Sequence, residues 1–252
     1  MKFATLLAVA ALATVFSFPQ AASAYVVKRS STGASVRWYN QKIAIRIDPA
    51  LEAMLPAGEV RAAAAMASDA WRGIGDAPEL VVEAGSPDGY SADSRTDSIY
   101  LVKDWPYNTN QVAVTVLNYS KDGRILGMDV LVNGNKRFAM LSENDSRGIV
   151  TGTHDLGAVL THEFGHVLGL DESDDHEEAT MFPYVRAGEV RQRVLSADDE
   201  EGVVAAYKAE LPKAPAACSV SANVGANSSH SGLFGALLML GAAVAVSRKR
   251  AA

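Results

Sequence analysis

Two histidines and a glutamate, in the pattern His162-Glu163-x-x-His166, are the residues of this sequence best placed to do chemistry. On a helix, side chains four residues apart leave the same face, so His162 and His166 can grip one Zn²⁺ through imidazole nitrogens. Glu163, next to the first of them, can polarise a water at the metal and act as general base. Gly169 follows where such a helix must turn away, since glycine accepts the left-handed backbone that ends it. Just beyond lies Glu172, a carboxylate able to complete the metal shell, with His176 and Asp171 in the same acidic loop as alternatives.

The pentapeptide alone can arise by chance, so the helix that carries it has to be tested. At about 100° per residue, with His162 at zero, His166 falls at about 40°. Leu156, Leu160, Phe164, Val167 and Leu168 then cluster between about 120° and 240°. The apolar arc packs on a sheet and the two histidines face away from it together. The helix is expected to begin near Thr153 as N-cap, with Asp155 and Leu156 in its first turn. Ahead of it, Arg37–Asp48 alternates as a strand with Ile43, Ile45 and Ile47 on one face. Residues 56–74 form an amphipathic helix through Val60, Ala64, Ala67, Trp71 and Ile74. Leu80–Glu83, Ser98–Val102, Val112–Leu117 and Ile125–Val132 are further strands, the last two joined by a turn ending in Asp122-Gly123. Behind the motif, Ala179-Thr-Met-Phe-Pro-Tyr184 is a turn. Ser196 caps a final helix that packs through Leu195, Val203, Val204 and Tyr207. A strand–helix–strand opening followed by a hairpin predicts an α+β fold. Its centre is a mixed sheet with one antiparallel margin strand.

The ends read differently. Residues 1–24 combine Lys2, the apolar run Phe3–Phe16 and Ala22-Ser23-Ala24, the parts of a secretory signal cleaved before Tyr25. Residues 25–211 are the expected folded domain, 212–231 a linker containing Cys218, and 232–252 an apolar run closed by Arg248-Lys249-Arg250. That run is some 15 residues, short of the roughly 20 a helical span needs. The order linker, Cys218, apolar run and basic cluster resembles the C-terminal sorting tail of myxobacterial surface proteins. That resemblance implies export and processing near Cys218, to the cell surface or outside; membrane contact is expected only through this tail. Of 29 acidic and 23 basic residues, residues 25–211 hold all the acidic and 18 of the basic ones, about −11 in net charge. Such a surface repels nucleic acid. A lone cysteine excludes an internal disulfide and a cysteine-based zinc site. Calcium is conceivable at the acidic loops 85–97 and 171–178, although neither has calcium-hand spacing.

With these motifs in order, the chain resembles the matrixin-type metzincin metalloproteases over roughly residues 37–208. The resemblance rests on His162–Leu170, on Ala179-Thr-Met181-Phe-Pro183, on Leu195-Ser-Ala-Asp-Asp199, and on Val112–Thr115 with Gly127–Val130. It implies a zinc endopeptidase with a twisted five-stranded sheet on two long helices and a small C-terminal subdomain ending in a helix. It implies Glu163 as base, His162 and His166 as zinc ligands, and Met181 as the apolar floor beneath the metal. Pro183 and Tyr184 would border the pocket for the residue after the cut bond, and the margin strand would pair with extended peptide substrate. The family has a third histidine where this chain has Glu172, and two His with one Glu is a workable zinc set. The expected protein is therefore an exported, monomeric zinc metalloendopeptidase. The alternative is a weakened member that binds peptide or zinc at the surface without cutting.

Overall fold

The computed structural model describes residues 24–83, 85, 90, 96–142 and 151–208. These belong to the first of two units, Met1–Lys213 and Ala214–Ala252. The expected signal segment 1–24 apart from Ala24, most of the loop 84–95, the expected linker with Cys218 and the C-terminal tail lie outside the described residues. In chain order the elements are β1 (Val26–Val27), β2 (Lys42–Ile47), α1 (Pro49–Glu52), α2 (Glu59–Ala70), β3 (Glu79–Val82), β4 (Ser98–Val102), β5 (Ala113–Tyr119), β6 (Ile125–Asn133), β7 (Arg137–Ala139), β8 (Thr153–Asp155), α3 (Leu156–Val167), β9 (Leu170–Asp171) and α4 (Ala197–Lys208).

Five strands form one mixed sheet in the order β3-β2-β4-β6-β5. The pairs β2–β3, β2–β4 and β4–β6 are parallel, and β5 runs antiparallel to β6 at the margin. Period-two alternation explains the faces: Ile43, Ile45 and Ile47 are all buried beneath the helices. On β5, Ala113, Thr115 and Leu117 lie opposite Val132, Val130 and Met128 and so share their helix-facing side. Val116 points the other way, onto Tyr100, Val102 and Leu131. The stripe of α2 is buried through Val60, Ala64, Ala67 and Trp71, and Trp71 Nε1 donates to Thr161 O of α3 at 2.8 Å.

Several boundaries move for identifiable reasons. The β2 ladder begins at Lys42 rather than Arg37. Arg37 is instead held by a bridge to Arg124, and its guanidinium donates to Tyr207 O at 2.8 Å. Helix α2 is shorter than 56–74 because Gly58 (φ 88°) precedes it and Gly73 (φ 78°) follows it in left-handed backbone. The motif helix starts at Leu156, not near Thr153. Thr153 sits in β8, and the Asp155 carboxylate is the N-cap, accepting from Ala158 N at 2.7 Å. The Ser196 cap stands: Asp199 N donates to Ser196 Oγ at 3.3 Å and Ser196 N donates back to Asp199 Oδ2 at 2.7 Å. His154, in β8 just ahead of the motif helix, is half-buried near the Phe138 ring.

Candidate active site

The motif helix is anchored at its start by charge. Asp155 is fully buried and accepts from Ala158 N, from Leu141 N at 2.9 Å and from Arg193 Nε at 2.7 Å; Arg193 Nη2 bonds its second oxygen. At its far end Gly169 has φ +91°, and a Cβ there would lie 2.0 Å from Val36 O, so position 169 excludes any side chain. Gly165 is needed for a different reason. A Cβ on it would meet Met181 Sδ at 2.2 Å and Trp71 Cζ2 at 2.9 Å. Met181 is therefore packed directly under the histidine-bearing turn, and it is buried.

Both histidines are oriented by backbone carbonyls. His162 Nδ1 is 2.7 Å from Thr180 O and His166 Nδ1 is 2.9 Å from Leu170 O. A carbonyl only accepts, so each Nδ1 carries the proton and each Nε2 keeps a lone pair. The rings stand 4.8 Å apart and nearly perpendicular. Burial pushes the His162 pKa down to about 3, with His166 adding to it, and burial pushes His166 down to about 4. Near neutral pH both are in the metal-binding form.

Glu172 joins them: one ligand atom from each of His162, His166 and Glu172 lies within 4.8 Å of the others. Tetrahedral ligands at about 2.1 Å from zinc are about 3.4 Å apart, so closure asks for a shift on the order of an ångström. The exposed Glu172 side chain can supply it. Two neutral imidazoles with free Nε2 and one carboxylate fit a zinc ion. Although the residue as a whole is exposed, partial desolvation of its carboxyl group raises the Glu172 pKa, with Asp174 and Asp171 adding. Of the alternatives, His176 is exposed and outside the trio, while Asp171 borders the same cleft but is paired with Lys28 Nζ at 2.7 Å.

Glu163 is buried beside the two histidines, and burial raises its pKa to about 7 against the lowering effect of a Thr115 hydrogen bond. A cleft of about 360 Å³ runs past Thr115, Leu117, His166 and Glu172. A second cavity of about 600 Å³ is bordered by Val112, Asn110, Pro183, Tyr184 and Arg186. The margin strand β5 lines the first, and Asn110, Gln111 and Val112, just ahead of it, border the second. Pro183 and Tyr184 thus sit at a cavity continuous in sequence with Met181, and Tyr184 is 65% exposed.

Sequence reasoning missed the residues that hold this arrangement in place. Asp199, buried on α4, accepts from Thr180 N at 2.8 Å and Met181 N at 3.0 Å. It fixes the turn whose Thr180 carbonyl orients His162. Its position in a Ser-x-x-Asp cap was visible; its grip on a turn 18 residues upstream was not.

Comparison with known proteins gives sequence relatives of this chain. Residues 91–208 match the matrixin family, Peptidase_M10. The chain is similar to human (Homo sapiens) matrix metalloproteinase-27, 47% identical over 58 residues, which is 23% of this chain and 11% of that protein. It is also similar to metalloendoproteinase 2-MMP of Arabidopsis thaliana, 36% over 78 residues (31% and 20%), and to metalloendoproteinase 5-MMP of the same plant, 45% over 58 residues (23% and 16%). The matched segments thus span a fifth or less of these relatives. The matches support a metalloprotease, a hydrolase, and within that class one of matrixin type, a group of zinc enzymes.

Proposed function

We propose that this protein is an exported zinc-dependent endopeptidase in which His162, His166 and Glu172 hold the metal and Glu163 is the general base. The observation that carries the proposal is the convergence of two carbonyl-oriented imidazoles and one carboxylate around a single point, with a buried glutamate alongside. Zinc held there would supply Lewis acidity to a substrate carbonyl and to water. Glu163 takes the proton from the attacking water and delivers it to the leaving amine, and its raised affinity for protons suits both halves of that task. Thr180 O and Leu170 O keep the imidazoles in the ligating tautomer. Met181 fills the space beneath and excludes water.

The substrate is an extended peptide. Strand β5 is the sheet margin, so its outer edge can pair with a further strand, the usual geometry of β-strand addition. Pro183, Tyr184 and Val112 border the cavity that receives the side chain after the cut bond. Glu172 in place of an imidazole would lower the net charge of a metal held there. Residues 1–24 and 212–252 are read as the export signal and the linker with its sorting tail.

The test is cleavage of a quenched-peptide library by the purified protein with one equivalent of zinc, with chelator, and as Glu163→Ala. Cleavage that disappears with chelator and with Glu163→Ala supports the proposal. Zinc-loaded protein that binds peptides without cutting any refutes it.

A further inference from the structure

On β5, Ala113, Thr115 and Leu117 lie on the helix-facing side of the sheet, opposite the buried, apolar Val132, Val130 and Met128. Thr115 is the one polar side chain among them. Packing does not require it, since valine has nearly the same shape and suits a strand as well. What valine lacks is the hydroxyl, and here the hydroxyl has a partner. Thr115 Oγ1 lies 2.6 Å from Glu163 Oε2 and 3.2 Å from Glu163 O. A hydroxyl has a single proton, and the shorter contact to an ionisable oxygen takes it.

Building on the endopeptidase reading, we propose that Thr115 is a positioning residue that fixes the Glu163 carboxylate from the margin strand. A glutamate side chain turns about three bonds, whereas threonine is branched at Cβ and stiff at its first torsion. Holding Oε2 from a strand therefore sets the rotation of the carboxylate and leaves the other oxygen to exchange protons with water and the leaving amine. The same strand offers its outer edge to substrate. One rigid element thus sets both the register of the peptide and the orientation of the base, which is how a near-attack arrangement is kept without extra ordering at the moment of reaction.

The experiment compares Thr115→Val and Thr115→Ser with the wild-type zinc-loaded protein on a cleaved peptide. Thr115→Val should lower kcat about tenfold or more with KM within about twofold, because the lost contact acts on the base and not on substrate binding. Thr115→Ser, which keeps the hydroxyl, should recover most of the rate, and both variants should bind one zinc. An activity-independent arm uses the metal-free protein. Thr115→Val should lower the urea unfolding midpoint when Glu163 is present and shift it less when residue 163 is alanine. An unchanged kcat in Thr115→Val, no recovery with serine, or equal midpoint shifts in the two backgrounds overturns the proposal. Wild-type protein that cleaves nothing refutes the endopeptidase reading instead, and the unfolding cycle still decides the Thr115–Glu163 contact.

Discussion

Replacing Asp199 tests whether the last helix governs the metal site. Its carboxylate is 1% exposed and accepts four hydrogen bonds: from Thr180 N, Met181 N, Ser196 N (2.7 Å) and Ser196 Oγ (2.8 Å). In Asp199→Ala the two turn amides lose a charged acceptor, partly offset by the relief of a buried charge. Bonds to charged groups contribute about 1.5–3 kcal/mol each and do not add fully, so a net loss of about 3–5 kcal/mol is expected. Asp199→Asn should lose less, about 1–3 kcal/mol, because one oxygen remains while the new amide faces a donor. Urea unfolding of the metal-free protein measures this directly. The second effect is on zinc. With Thr180 loosened, His162 loses the carbonyl that sets its tautomer, and such outer partners are worth about 10–100-fold in metal affinity. Competition with a chromogenic chelator reads that change. A variant with wild-type stability would refute the hydrogen-bond argument. One that is destabilised yet binds zinc unchanged would refute the link from Asp199 through Thr180 to His162.

Three further outcomes follow. Asp155→Ala leaves Arg193 without its bidentate partner at the helix start, and should cost about 3–5 kcal/mol in urea unfolding. In the metal-free protein both site histidines stay neutral in the fold far below their ordinary value of 6.5. The unfolded chain therefore binds protons first as pH falls: stability is full above pH 6.5 and is lost toward the folded values of about 3 and 4. At pH 5 each histidine costs about 2 kcal/mol, so His166→Asn should shrink the loss between pH 7 and 5 by about that amount. Asp129 has the opposite sign. Burial, with Asp97 nearby, raises its pKa from 3.8 to about 7, so its penalty is absent below pH 3.8 and complete above pH 7. Allowing for solvent screening, Asp129→Asn should add about 1–2 kcal/mol at pH 8, a rise of roughly 2–8 °C in Tm by calorimetry, and no gain at pH 3.5.

Periodic features were legible in the chain, and contacts between distant segments were not. The alternation of Ile43, Ile45 and Ile47 and the stripe of Val60, Ala64, Ala67 and Trp71 report burial directly, because each repeats with the geometry of its own element. The spacing of His162 and His166, the turn at Met181 and the Ser196 cap are likewise local. The start of the motif helix was ambiguous, since Thr153 and Asp155 are both good caps. Arg193, 38 residues away, contributes to the choice by pairing with Asp155. Thr115 gave only a faint signal, one hydroxyl in an apolar strand, and its partner is 48 residues downstream. The arc calculation placed the histidines on an outer face, yet His162 is 5% exposed. Helix periodicity sees one face packed on the sheet and cannot see the Met181 turn folding over the other.

The proposed activity depends on one zinc ion held by His162, His166 and Glu172. The most direct measurement is an anomalous-difference map at the zinc edge from crystals of the zinc-loaded protein. A single strong peak is expected at about 2.0–2.2 Å from both Nε2 atoms and from a Glu172 carboxylate oxygen. A peak bound by the histidines with Glu172 turned to solvent, or one lying away from His162 and His166, would contradict it.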